Sequence, residues 1–188
     1  LGSQVTEIGD MAFALCTSLE TFTFPETVTA VGLKLFFGCA KLQEVTLPES
    51  LTTLGTQMFF SCPALESITI PASVEDVGVM AFSGCTGLKE IVVADGNEYF
   101  TVHEGALFDK NLEVLYCYPA AQTETSYTAP DSTLVIGPSA FMCAASLTQV
   151  TLPEKLRYIG DGAFYGCVGL SSIILPEAVT TIGDNAFD

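Results

Sequence analysis

The groups able to do chemistry in this chain of 188 residues are one histidine, 7 cysteines and 22 carboxylates. Nucleophilic catalysis of the Ser-His or Cys-His kind would have to centre on His103, the sole imidazole. Its context, Val102-His103-Glu104-Gly105, lacks the H-E-x-x-H spacing that sets two ligands on one helical face. It reads instead as a hairpin with the histidine turned to solvent, so no catalytic residue is assigned and no enzyme is expected. Cys16, Cys39, Cys62 and Cys85 recur at a step of 23. A tetrahedral metal wants paired, convergent thiolates, which single cysteines at that step do not supply. Stacked at ~5 Å they would lie within disulfide range. Parallel side chains point the same way, however, and an odd count leaves one over. The expectation is free thiols packed as small hydrophobes.

Carboxylates also recur. Glu26, Glu49, Glu154 and Glu177 follow a proline, with Asp131 and Asp95 at equivalent places. Such a ridge could hold Ca²⁺ or a basic partner, but the oxygen spacing of an EF-hand loop is missing, and a solvated edge explains it as well. The glycines are not clustered as a phosphate-binding loop would need. Neither cofactor nor metal is therefore expected. The 6 Lys and Arg against 22 Asp and Glu leave a net charge of -16, which argues against nucleic acid and anionic membrane as partners. Hydrophobic residues make up 49% of the chain, yet no apolar run approaches the ~20 residues of a bilayer span, so direct membrane insertion is not expected. The opening Leu1-Gly2-Ser3-Gln4 shows no signal-peptide pattern, which leaves the compartment open. No N-x-S/T acceptor occurs.

What would position these groups is a repeat. Phe13, Phe36, Phe59 and Phe82 are spaced by 23, and Phe141, Phe164 and Phe187 resume the step. Gly9, Gly32, Gly55, Gly78, Gly137, Gly160 and Gly183 each stand four residues before one of these rings. Pro25, Pro48 and Pro71, then Pro130, Pro153 and Pro176, keep the same period. Before each proline the apolar residues alternate, as in Leu19-x-x-Phe22-x-Phe24 and Leu170-x-x-Ile173-x-Leu175, which reads as a short strand with one buried face. A second apolar pair, such as Val28 and Val31, suits an extended or 3₁₀ stretch. The glycine column marks either a turn with positive φ or a close approach of two coils. Each unit thus goes round once, and stacked units form a parallel solenoid.

Between Phe82 and Phe141 the step is 59, so one coil, about residues 95–129, is enlarged, with a hairpin-like protrusion; the 23-residue register returns at Tyr127. Outward strand positions form two files of short polar groups: Thr21 and Thr23, Glu44 and Thr46, Ser67 and Thr69, Glu90 and Val92, Ser126 and Thr128, Gln149 and Thr151, Ser172 and Ile174. Threonine pairs stabilise strand surfaces, and a solenoid's exposed sheet is also its broad binding surface. The candidate partner-binding face comprises these files with Tyr99, Phe100 and His103 from the protrusion.

The units L-x-x-Φ-x-Φ-P, Φ-x-x-Φ-G and A-F-x-x-C resemble the BspA-like leucine-rich repeat family of bacterial surface proteins. The enlarged coil, with Gly105-Ala-Leu-Phe-Asp-Lys, Tyr116-Cys-Tyr-Pro and Thr125-Ser-Tyr-Thr-Ala-Pro, resembles it too. The pattern departs at Phe141-Met142-Cys143, where cysteine comes one residue early and Ala144 takes its place. The resemblance implies an α/β-type leucine-rich repeat solenoid, β-dominated, with a parallel sheet on one face. It implies a single solenoid over 1–188, part of a longer array because both ends fall inside a repeat. It further implies an extracellular, cell-surface location and adhesion to a surface protein or glycoprotein. The rival expectation is a stalk that displays another domain and binds nothing itself.

Overall fold

The computed structural model describes residues 2–188 as two compact units, one running through Phe100 and one spanning Thr101–Asp188. The first contains β1 (Glu7–Ile8), β2 (Thr21–Thr23), β3 (Ala30–Val31), β4 (Glu44–Thr46), β5 (Thr53–Leu54), β6 (Ser67–Ile70), β7 (Asp76–Val77) and β8 (Glu90–Val93). The hairpin strands β9 (Phe100–His103), β10 (Ala106–Asp109) and β11 (Val114–Cys117) come next. The second unit continues through β12 (Ser126–Thr128), β13 (Val135–Ile136), β14 (Gln149–Thr151), β15 (Tyr158–Ile159) and β16 (Thr181–Ile182).

Within each unit the coils pair in parallel at the period of the sequence. Thr21, Phe22 and Thr23 face Glu44, Val45 and Thr46, and Ser67 through Ile70 face Glu90 through Val93. Tyr127 faces Val150 in the second unit. The sheet expected on this face is divided into pairs, β2–β4, β6–β8 and β12–β14. Strands of three or four residues, all but β8 followed closely by a proline with no amide to donate, can make only a few ladder bonds apiece. A second ladder runs through two-residue strands, β1–β3 and β5–β7 in one unit and β13–β15–β16 in the other, where Val114 and Leu115 of the longer β11 join it.

Among the described residues there is no helix, so the α of the expected α/β class is corrected to an all-β coil. The cause lies in the segments around the phenylalanine column. Met11, Lys34, Gln57 and Met80 have φ of 55–58°, and Leu15, Gly38, Ser61 and Gly84 have φ of 58–73°. Two left-handed residues per coil break any helical run, since L-residues do not propagate that conformation. Backbone bonds hold them in place: the amides of Lys34, Phe36 and Gly38 donate to the carbonyls of Thr56, Met58 and Phe60 in the next coil.

The glycine column has the second of its two candidate roles. A Cβ on Gly55 would stand 2.5 Å from the Gly32 carbonyl oxygen, and one on Gly78 would stand 2.4 Å from the Thr56 amide nitrogen. These glycines admit the neighbouring coil, and the left-handed positions lie elsewhere. Down the interior, Phe36–Phe59 and Phe59–Phe82 stack at 5.6 and 5.7 Å with rings 9° and 7° from parallel. Phe141–Phe164 and Phe164–Phe187 repeat this at 4.9 and 5.2 Å. Tyr118 takes the phenylalanine place in the enlarged coil, 5.3 Å from Phe141, so the register returns there before it returns at Tyr127.

One expected strand has no ladder. Residues 170–176 extend past β14 without pairing to it, and Ile174 is 87% exposed. An open cleft of about 390 Å³, lined by Val150, Leu152, Ile173 and Pro176 among others, separates the two segments. On the other side of the same coil the ladder persists, with Gly183 donating to the Ile159 carbonyl.

Candidate functional site

Alternation in the short strands decides which groups face outward. In β4 the pattern is exposed, buried, exposed for Glu44, Val45 and Thr46. In the first unit Thr21, Thr23, Glu44, Thr46, Ser67, Thr69, Glu90 and Val92 are all exposed, as is Tyr99. In the second unit Thr128, Gln149, Thr151 and Ser172 are exposed, with Thr128 opposite Thr151 in register. Each unit therefore carries an outward polar surface built largely of hydroxyls, whose in-register Thr23–Thr46 and Thr128–Thr151 neighbours support one another, while Ser172 stands apart across the cleft from β14.

Phe100 does not belong to that surface. It is 3% exposed, because the Asn97 side chain accepts hydrogen bonds from the amides of Tyr99 and Phe100 and turns the chain inward there. Asn97 is itself buried, its amide nitrogen donating to the carbonyls of Pro71 and Val74. His103 is half-buried in β9 with its ring 6.3 Å from Phe108 and nearly perpendicular to it, which corrects the expectation of a loop histidine turned to solvent.

The cysteine column tethers one coil to the next. The thiols of Cys39, Cys62 and Cys85 donate to the carbonyls of Phe13, Phe36 and Phe59 at 3.0–3.1 Å, each spanning 26 residues, and Cys167 does the same to Phe141. Thiols so used cannot converge on one another. Where Ala144 replaces cysteine, its amide still donates to the Phe141 carbonyl, so the turn survives without the thiol. Burial pushes the Cys62 and Cys117 thiols from 9.0 up to about 12. A raised folded pKa adds stability that is fully present below the unfolded value near 9 and lost as pH climbs toward 12. Stability measured by denaturant should therefore fall above pH 9. At pH 8 a thiol reagent should label exposed Cys16 within minutes and spare Cys62 and Cys117, while all seven react in denaturant. Rapid labelling of Cys62 in the folded chain would contradict this burial.

Acidic groups also serve the stacking. A Glu26 carboxylate oxygen accepts the Glu49 amide at 3.2 Å, and Asp10 accepts the Leu33 amide at 2.8 Å. Among the described residues no group of three or more His, Cys, Asp or Glu could hold a metal ion, and no helix is long and apolar enough to cross a membrane.

Sequence reasoning missed a second place of interest, in the enlarged coil. Tyr118 and Tyr127, with Glu104, Gln122 and Glu124, line a polar recess of about 590 Å³. The available signal was that each tyrosine stands 23 residues before an apolar residue of an interior file, Phe141 and Val150.

Comparison with known proteins agrees with this architecture. A leucine-rich repeat protein from Eubacterium ventriosum is 27% identical, with a TM-score of 0.82 over 97% of this chain and 54% of its own. The pneumococcal vaccine antigen PcpA is 29% identical, with a TM-score of 0.81 over 96% of this chain and 50% of its own. A leucine-rich cell surface protein from Faecalibacterium prausnitzii is 28% identical, with a TM-score of 0.78 over 97% of this chain and 60% of its own. The chain thus spans between half and three-fifths of these structures. No curated protein matches it. The family described as BspA type leucine-rich repeat region matches residues 1–113 and 115–188 in 6 copies, and the chain belongs to that family.

Proposed function

We propose that this chain is the binding module of a bacterial cell-surface protein and engages an extracellular or surface protein or glycoprotein through the outward strand residues. The observation that carries the reading is the exposed polar strand face of the first unit: in a chain of net charge -16, Thr23 and Thr46 in register, with Ser67 and Thr69 on β6, present uncharged hydroxyls over apolar inward neighbours. Short hydroxyl side chains lose little entropy on docking and hydrogen-bond either as donors or as acceptors. Likeness to a cell-surface protein and to a vaccine antigen supports the location. A repeat solenoid suits a scaffold for interaction, and this supports the reading.

The test is a variant with Thr23, Thr46, Ser67 and Thr69 all changed to lysine, assayed against a panel of extracellular-matrix proteins and surface glycoproteins. The parent chain should bind at least one of them saturably. The variant, folded by circular dichroism, should bind it about tenfold more weakly or worse, because four ammonium groups would be desolvated in the interface. Equal binding by parent and variant, or no saturable binding anywhere in the panel, overturns the reading.

A further inference from the structure

The recess in the second unit contains an anomaly that a purely structural coil does not explain. Tyr118 and Tyr127 occupy files whose other members in that unit are Phe141, Phe164 and Phe187, and Val150 and Ile173. They are 2% and 3% exposed, with ring centroids 5.2 Å apart at 69°. Neither hydroxyl has a hydrogen-bond partner. A buried polar atom left unpaired is costly, and a phenylalanine at either site would avoid the cost.

Both tyrosines belong to the lining of the same polar recess, with their hydroxyls closed in behind its surface. Its rim carries the exposed carboxylates Glu104 and Glu124, and Gln122, Ser126 and Thr128 complete the wall. Glu104 and Gly105 form the β9–β10 turn with φ of 46° and 80°, the paired left-handed geometry of a tight hairpin. A Cβ on Gly105 would collide with the Gln122 side chain, so the turn and the opposite wall are in close contact. The lining thus offers two carboxylates, two phenol oxygens and further hydroxyl and amide oxygens, and it contains no basic residue.

We propose that this recess receives a cationic side chain, the guanidinium of an arginine or the ammonium of a lysine, presented by a partner protein. The proposal rests on the interaction-module reading and adds the chemistry of what is held. The two rim carboxylates balance the incoming charge, and the unpaired phenol oxygens behind the lining turn to accept its N–H groups, which gives each the partner it lacks. Burial first, and then the charge of Glu124, pushes the Tyr118 hydroxyl up to about 12, and burial with Glu104 pushes Tyr127 upward as well. Both phenols are therefore protonated at neutral pH, with lone pairs free to accept. A bound divalent metal fits less well, because the lining has only two carboxylates. The chain's net charge of -16 favours approach of a basic partner.

The full chain is titrated at low ionic strength with acetyl-Gly-Arg-Gly-amide and with its citrulline twin, which keeps the shape and removes the charge. Heat and the tyrosine difference spectrum are both recorded. The arginine peptide should bind saturably and perturb tyrosine absorbance, with the citrulline peptide about tenfold weaker or worse. E104Q/E124Q should weaken arginine binding by about tenfold. Y118F/Y127F should weaken it several-fold while the thermal midpoint holds or rises, because two unpaired hydroxyls have gone. Equal binding of the two peptides, arginine binding unchanged in E104Q/E124Q, or a lowered midpoint in Y118F/Y127F overturns the proposal. So does calcium chloride alone reproducing the tyrosine signal where the peptide gives none. A chain that captures a panel protein yet treats both peptides alike loses only the recess. One that prefers arginine in this way but captures nothing loses only the strand-face reading.

Discussion

Phe59→Ala is expected to lower the stability of the first unit by about 3–5 kcal/mol, the usual cost of deleting a fully buried aromatic ring. Phe59 has 0% exposure and lies between Phe36 and Phe82 with both neighbouring rings nearly parallel to it. A stacked coil has no other element to close the gap. The Phe59 amide donates to the Ala81 carbonyl and its own carbonyl accepts the Cys85 thiol, so the backbone is held on both sides while the side chain disappears. The urea midpoint reports the loss. A shift under about 1 kcal/mol, the scale of a surface change, would mean that the ring is not packed as described.

Gly55→Ala is expected to cost about 3 kcal/mol or more, at the upper end of overpacking penalties. The added methyl would meet the Gly32 carbonyl oxygen at 2.5 Å, a backbone atom that cannot rotate away. Gly9→Ala is the internal control, because a Cβ there meets nothing within 4 Å. Its φ is not in the left-handed region, so alanine there should be neutral or should stabilise by up to about 1 kcal/mol through the unfolded chain. Denaturant unfolding of the two variants should move in opposite directions or differ by several kcal/mol. Equal effects would show that the column does not mark close approach.

Much of this was legible because stacking turns sequence period directly into spatial neighbourhood. Phe36 and Phe59 could be placed together from their spacing alone, and Thr23 and Thr46 could be placed outward from the alternation around Phe22 and Val45. Spacing did not say which role the glycine column plays, since both candidate roles demand glycine. The left-handed positions escaped notice because Met11, Lys34 and Gln57 have no chemical type in common. What they share is an amide donated to the next coil and a carbonyl that accepts the amide three residues on, which no local propensity reveals. Phe100 was misjudged where the period lapses: only the buried Asn97, bonded to Pro71 and Val74, determines that the chain turns inward. The recess was hidden for the same reason. Tyr118 and Tyr127 read as ordinary strand aromatics until the enlarged coil sets them in the wall shared with Glu104 and Glu124.

In a coil of this period, residues 23 apart lie face to face. Ring-selective nuclear Overhauser spectroscopy on a chain with isotopically labelled phenylalanine measures this. It should show cross-peaks for Phe13–Phe36, Phe36–Phe59 and Phe59–Phe82, whose centroids lie 5.6–5.7 Å apart, and none for the pairs two steps apart. Missing cross-peaks between first neighbours, or strong ones between Phe13 and Phe59, would contradict the coil on which both binding proposals are built.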